Sequence, residues 1–490
     1  MSITSTRPPG AARSAPTPGG TAGGDPGRGL GPLLLRLHFY AGVLIAPFLV
    51  VAALTGLAYT ITPQLDAVVH RAELTAEAAG RSALPVSEQV TAARAAHPEG
   101  TLSYVALGGD GATTQVVFDV PGLAEERQHT VYVDPYTAEV KGQLTTWFGN
   151  TPLRTWFDDL HRNLHLGAVG RHYSELAASW LWVVALGGLA LWWRRQRGVR
   201  GRVRRLLLPD LAARRGVRRT RGWHASTGVW LVVGLLFLSA TGLTWSRYAG
   251  ANFGAGLDAL DARRPVLATA LDGAGAPAGG GHHDAGPATA PELDPAAFDQ
   301  VVRVARAAGL DGPVEVTPGA DAASAWTVTQ TDESWPTRQD RVAVDPGKGT
   351  VVARSDFADW PLLAQLSDLG ISAHMGLLFG PVNQFLLAAL AVGLLVVIFW
   401  GYRMWWQRRP TRAGRRAPVG APPVGRGAWW GLPSWVIVVG LPAVFLLGWA
   451  MPLFGVTLVG FLVVDLVVAA WRRRSPDRSR AAGGVSAGGR

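Results

Sequence analysis

Six stretches of the chain are apolar on all sides: roughly Leu37–Ile61, Ser174–Trp193, His224–Trp245, Gly376–Trp400, Pro433–Trp449 and Leu453–Trp471. A hydrocarbon core of roughly 30 Å takes about 20 helical residues, so each stretch is predicted to cross a membrane as a helix. The last two form a hairpin that turns at Met451–Pro452, and Pro442 in the fifth is tolerated if neighbouring helices satisfy the carbonyl it frees. Two long segments between the spans are patterned differently. Each opens with a helix-like stretch, Val86–Ala96 or Pro295–Ala308, followed by alternating strand-like runs. Their strands end in VYVDPYTAEV and VAVDPGKGTV, where Asp-Pro makes a turn between two strands. The predicted fold class is an α-helical membrane bundle of about six spans carrying two α+β domains.

The resulting order is a disordered tail (1–30), a first span (31–61), an α+β domain (62–160), a second span (161–195) and an Arg-rich loop (196–222). A third span (223–247), a second α+β domain (248–372) with a flexible linker (272–292), and a fourth span (373–406) follow. A loop (407–430), the hairpin (431–471) and a tail (472–490) complete the chain. The first apolar run has no small-residue cleavage site after it and reads as a retained helix rather than a signal peptide.

Charge orients these elements. The chain carries a formal net charge of +11, which could suit nucleic acid, but its arginines cluster beside apolar runs. The loop after the second span reads WWRRQRGVRGRVRR, the fourth span runs into WWQRRPTRAGRR, and the sixth ends in WRRRS. The positive-inside rule places these segments and both termini in the cytoplasm, and the α+β domains outside a plasma membrane. Residues 62–160 show the opposite bias, 13 Asp/Glu against 6 Lys/Arg. The absence of Cys excludes disulfides, cysteine-ligated iron–sulfur clusters and c-type haem attachment. Any redox cofactor must be held by His or without covalent bonds.

A repeat brings histidines into register. The first span holds His38, Gly42-Val43 and Thr55-Gly56-Leu57, and the third holds His224, Gly228-Val229 and Thr241-Gly242-Leu243, matched without a gap. The chain therefore contains two copies of a unit made of helix, outside domain and helix. The second helix of each unit carries His near its outer end, in DLHRNLHLGAVG (His161, His165) and DLGISAHMGLLFG (His374). Aligning Asp-Leu pairs His165 with His374, whereas aligning GLALWW with GYRMWW pairs His161 with it, so both alternatives stand. A b-type haem needs one or two axial imidazoles from facing helices, and ionisable groups inside spans lean functional. His38 with His224, and His374 with His161 or His165, would give one bis-His site in each half of the membrane. Arg36, Arg162 and Arg171 are candidate propionate partners, or interfacial anchors. The Thr-Gly pairs are expected to permit close helix packing, and Asp465 reads as a buried structural carboxylate. His172 is an alternative ligand or propionate partner, and His282-His283-Asp284 in the linker is a weaker metal candidate.

HxxxG at His38 and His224, LHRNLHLGAVGR, AHMGLLFG and the two VDP strands together resemble PepSY-associated transmembrane proteins, over about residues 30–410. That family includes iron-regulated membrane proteins and siderophore reductases. The resemblance implies a four-helix core, two extracytoplasmic PepSY domains and two haem b. It implies that His38 and His224 ligate the cytoplasmic-side haem, and His374 with His161 or His165 the outer one. Reduction of an extracytoplasmic ferric chelate, a ferric siderophore in particular, follows as the expected activity. With no GxGxxG and short cytoplasmic loops, electrons would come from a quinol or a separate reductase. A haem-free scaffold binding a peptide or peptidase, and a siderophore permease, are the competing expectations.

Overall fold

The computed structural model describes residues 30–199, 201–213, 215–271, 293–408 and 433–474. The expected tails, the linker with His282-His283-Asp284 and most of the loop before the hairpin lie outside the described residues.

In chain order, α1 (Leu30–Leu44), α2 (Ala46–Tyr59), α3 (Thr62–Val69), α4 (Arg71–Leu74) and α5 (Val86–Ala96) lead into β1 (Thr101–Leu107), β2 (Thr114–Asp119), β3 (Arg127–Val133) and β4 (Val140–Trp147). Then come α6 (Pro152–Asn163), α7 (Gly167–Gln196), α8 (Arg202–Leu207), α9 (Val217–Thr244), α10 (Ala249–Ala259) and α11 (Ala296–Ala307). After β5 (Val314–Thr317), β6 (Trp326–Gln330), β7 (Arg341–Asp345) and β8 (Thr350–Ser355) the chain closes with α12 (Leu362–His374), α13 (Gly380–Gln407), α14 (Ser434–Ala450) and α15 (Pro452–Arg474).

Helices α7, α9 and α13 are long and apolar enough to cross a membrane, and α1 with α2 makes a fourth crossing if the bent pair is one span. The apolar helix α14 and the stretch Pro452–Val468 of α15 are shorter. Large apolar side chains point outward from the bundle, among them Val233, Phe385 and Phe445, each more than 70% exposed. Water would penalise that surface, and lipid does not.

The first predicted span is not one straight helix. It bends by 55° between α1 and α2. Pro47 sits in the first turn of α2 and has no N–H to give to the Val43 carbonyl, so the helical ladder breaks there. The Tyr402 hydroxyl of α13 donates to that carbonyl instead, at 3.0 Å. The fourth predicted span also starts later than expected. Gly376, at φ +81°, ends α12, and α13 begins only at Gly380.

The two α+β segments do not form separate cores. Their strands make one antiparallel sheet in the order β4-β3-β2-β1-β5-β6-β7-β8, joined where Val105 faces Val316 across β1 and β5. Each of those strands would be an unpaired edge in an isolated half, and joining them lets α5 and α11 share one apolar core built on Val90, Val105, Phe118, Phe298, Val316 and Val344. The Ser87 hydroxyl and backbone N–H both donate to Asp299, tying α5 to α11. The Asp-Pro turns form as predicted: Asp134 Oδ1 accepts from the Tyr136 N–H at 2.8 Å, and Asp345 Oδ1 from Gly347 and Lys348 at 2.9 and 3.0 Å. Because Val316 has no exposed surface, Val316→Asp should cost about 3 kcal/mol or more through an unpaired buried charge. Limited proteolysis should then cut both halves of the sheet, and Val316→Ile should stay resistant.

Candidate functional site

Four histidines line the bundle, two at each end. At the end remote from the sheet, His38 of α1 and His224 of α9 bring their ring centres to 6.2 Å with planes at 72°. At the sheet end, His161 near the end of α6 and His374 as the last residue of α12 lie close enough to couple electrostatically. Neither is on a spanning helix, contrary to the sequence reading. Both sit on short helices that turn back under the sheet before α7 and α13 begin. The pairs are well separated, because positions 224 and 241 of α9 are about 25 Å apart at about 1.5 Å per residue and Thr241 contacts His374.

His161 and His165 are placed differently. His165 follows the left-handed Leu164 that ends α6, adopts φ +56° itself, and is exposed, its ring against Trp156 at 5.0 Å. His161 points inward, where its Nδ1 meets Thr55 Oγ1 at 3.0 Å. In the second repeat, His374 Nδ1 meets Thr241 Oγ1 at 2.6 Å. His161 and His374 are thus the equivalent residues. The Thr-Gly pairs, expected only to ease packing, hold these rings. Gly56 leaves room for one of them, since a Cβ there would stand 3.1 Å from His161 Cε1.

The other pair is built from different parts. His224 Nδ1 lies 2.9 Å from the Val397 carbonyl on α13. His38 Nδ1 is buried and makes no hydrogen bond among the described residues. Each ring packs against a glycine of its partner helix. A Cβ on Gly188 would stand 3.0 Å from His38 Cε1, and one on Gly401 3.6 Å from His224 Cε1. The glycines one turn beyond each ligand candidate, Gly42 and Gly228, have nothing within 4 Å of an added Cβ. None of these partner positions was singled out from the sequence, although the GLALWW–GYRMWW match already aligned Gly188 with Gly401.

In three of the four rings, those of His161, His224 and His374, Nδ1 lies within hydrogen-bond distance of an oxygen. That leaves Nε2, the nitrogen suited to a metal, without an assigned partner. Metal–imidazole bonds of about 2.0–2.1 Å, with about 1 Å more from nitrogen to ring centre, put two axial imidazoles about 6 Å apart, the spacing of His38 and His224. Among the described residues no cluster of three or more His, Cys, Asp or Glu could hold a metal ion. A pair of imidazoles with Nε2 free is a donor set that haem iron, which brings an equatorial ligand of its own, would accept.

The remaining candidates fall elsewhere. Arg36 is fully buried, but it points to the opposite side of α1 from His38 and pairs with Asp465 of α15. Arg162 pairs with Asp158 and Asp159 at 3.3 and 3.2 Å and covers the Trp147 ring. Arg171 donates to the Trp245 carbonyl at 2.7 Å. His172 lies between the Val169 carbonyl and the Tyr248 hydroxyl, on the surface. On the inward face of α6, Arg154 precedes His161 by about 10 Å of helix and faces Tyr59, Asp66 and Glu333.

No curated protein matches the chain. One family model does, described as PepSY-associated TM region and aligned to residues 35–408. That match spans more than half of the sequence and takes in both histidine pairs, both helices that bear the Thr-Gly motif and the whole sheet. The chain is a membrane protein that belongs to the PepSY-associated transmembrane family.

Proposed function

We propose that the chain is a di-haem transmembrane electron-transfer protein that reduces ferric chelates outside the plasma membrane, ferric siderophores in particular, for iron acquisition. One observation carries the reading: four imidazoles stand in two pairs, one at each end of the bundle, and three of them turn Nδ1 toward oxygen and leave Nε2 for a metal. His38 and His224 would hold the inner haem, and His161 and His374 the outer. When bound, haem iron supplies one-electron transfer. The chain's own residues fix the rings, keep water from the bundle core and place the second stop under the sheet, where Arg154 and Tyr59 present polar groups. Two stops in series divide a core of roughly 30 Å. The orientation is that of the positive-inside rule, with six spans, both termini cytoplasmic and the sheet outside. Electrons enter from a quinol or a separate cytoplasmic reductase.

Colour tests this directly. Protein purified from haem-sufficient cells should show a b-type spectrum and bind two haems per chain, and dithionite-reduced protein should reoxidise on mixing with a ferric hydroxamate. A colourless preparation would sink the electron-transfer reading and leave a haem-free scaffold.

A further inference from the structure

The outer histidines meet hydroxyl groups, whereas His224 of the inner pair meets a main-chain carbonyl. A Thr hydroxyl has one proton. Thr55 Oγ1 lies 2.8 Å from the Val51 carbonyl, and Thr241 Oγ1 lies 2.8 Å from the Phe237 carbonyl. Each proton is committed to the turn below. Toward the ring, each oxygen therefore has only a lone pair to offer, so Nδ1 must carry the hydrogen and Nε2 must be bare. The arrangement recurs in both repeat copies, and no carboxylate takes part.

We propose that Thr55 and Thr241 are positioning residues that fix the tautomer of the outer pair and set the outer site at a higher reduction potential than the inner. The inference rests on the haem reading above. A carbonyl oxygen is a stronger acceptor than a hydroxyl oxygen. A stronger acceptor on Nδ1–H makes the ligating nitrogen more basic, which favours ferric iron. The Val397 carbonyl acts on His224 in this way. At the outer site His374 has the Thr241 hydroxyl, while His161 has Thr55 with the Ala52 carbonyl beside it. One electron then passes downhill from the inner site, which is oxidised, to the outer site, which is reduced. No bond is made or broken.

Redox titration of the purified full-length chain tests the proposal, with the inner couple identified as the one lost in His38→Ala and the outer as the one lost in His374→Ala. The outer couple should lie above the inner. Thr241→Val removes the acceptor, and should raise the outer couple by about a tenfold change in its one-electron equilibrium, 59 mV. It should leave the inner couple in place, and Thr241→Ser should restore the wild-type value. Loss of the outer haem from the valine variant but not from the serine variant supports the same role. A valine variant with two haems and an unmoved outer couple overturns the proposal. So does a wild-type outer couple below the inner one, which decides the matter even if the valine variant does not accumulate. Wild-type protein without haem is a separate failure, that of the haem reading itself, and it shows before any variant is made.

Discussion

Replacing His38 or His224 by Ala is expected to lower the haem content from two per chain to one and to stop electron delivery across the membrane. The two rings stand 6.2 Å apart at one end of the bundle, and the outer pair is built from other helices, α6 and α12. On the haem reading, removing one inner ring would take away a ligand without disturbing Thr55, Thr241, His161 or His374. The outer couple should therefore keep its spectrum, while reoxidation by an external chelate, driven by a reductant supplied inside, falls about 100-fold or more. That is above the usual effect of losing only a supporting contact to a ligand. Haem quantitation and stopped-flow reoxidation read the two effects separately. If His38 were only a satisfied core residue, its loss would lower stability and leave the pigment unchanged.

Gly170→Ala is expected to destroy the outer site selectively. An added Cβ would stand 1.7 Å from the Asn163 carbonyl oxygen and 2.6 Å from its carbon. Both atoms are backbone, so no side-chain rotation relieves the clash. Asn163 closes α6, two residues beyond His161, and its amide is anchored on Asp159 at 2.9 Å. The Tyr173 hydroxyl, one turn along α7 from Gly170, donates to the His161 carbonyl. The methyl group must push the end of α6 off the start of α7, which carries His161 away from Thr55. Overpacking in a closed site costs about 1–3 kcal/mol, and a backbone collision lies at the top of that range. The expected product is a less stable protein with one haem, that of His38 and His224. Gly440→Ala is the control. Its added Cβ meets nothing within 4 Å, and Ala favours a helix over Gly by about 1 kcal/mol, so thermal stability and haem content should not fall.

The repeat was readable because it keeps residue type and spacing together: His38 and His224 lie at the same distance from Thr-Gly in both copies. Which of His161 and His165 is the counterpart of His374 was not. His161 and His165 are four residues apart and flank the same turn, so hydrophobic period and alignment leave both open. Only the left-handed Leu164, which reverses the chain after α6, turns one ring inward and the other to solvent. The role given to Arg36 shifted for a similar reason. Proximity in sequence to His38 suggested a shared site, but positions two apart on a helix face opposite ways, and Asp465 is what lies on the other side.

The sheet follows the same division. Strand periodicity and the Asp-Pro turns were local signals, and they gave the right elements in both segments. That the segments would complete each other across Val105 and Val316 depends on two edges separated by the whole second span and third span. By itself, the sequence determined the apolar spans, the duplicated unit, the arginine-rich side and the residue types available for chemistry, since each rests on composition or on spacing along one element. The tertiary structure alone decided the kink at Pro47, the union of the two halves into one sheet, the pairing of His161 with Thr55 and the direction of the His224 and His374 rings. Those depend on which oxygen, carbonyl or hydroxyl, a distant helix brings within about 3 Å of a ring nitrogen, and no period along the chain encodes that distance.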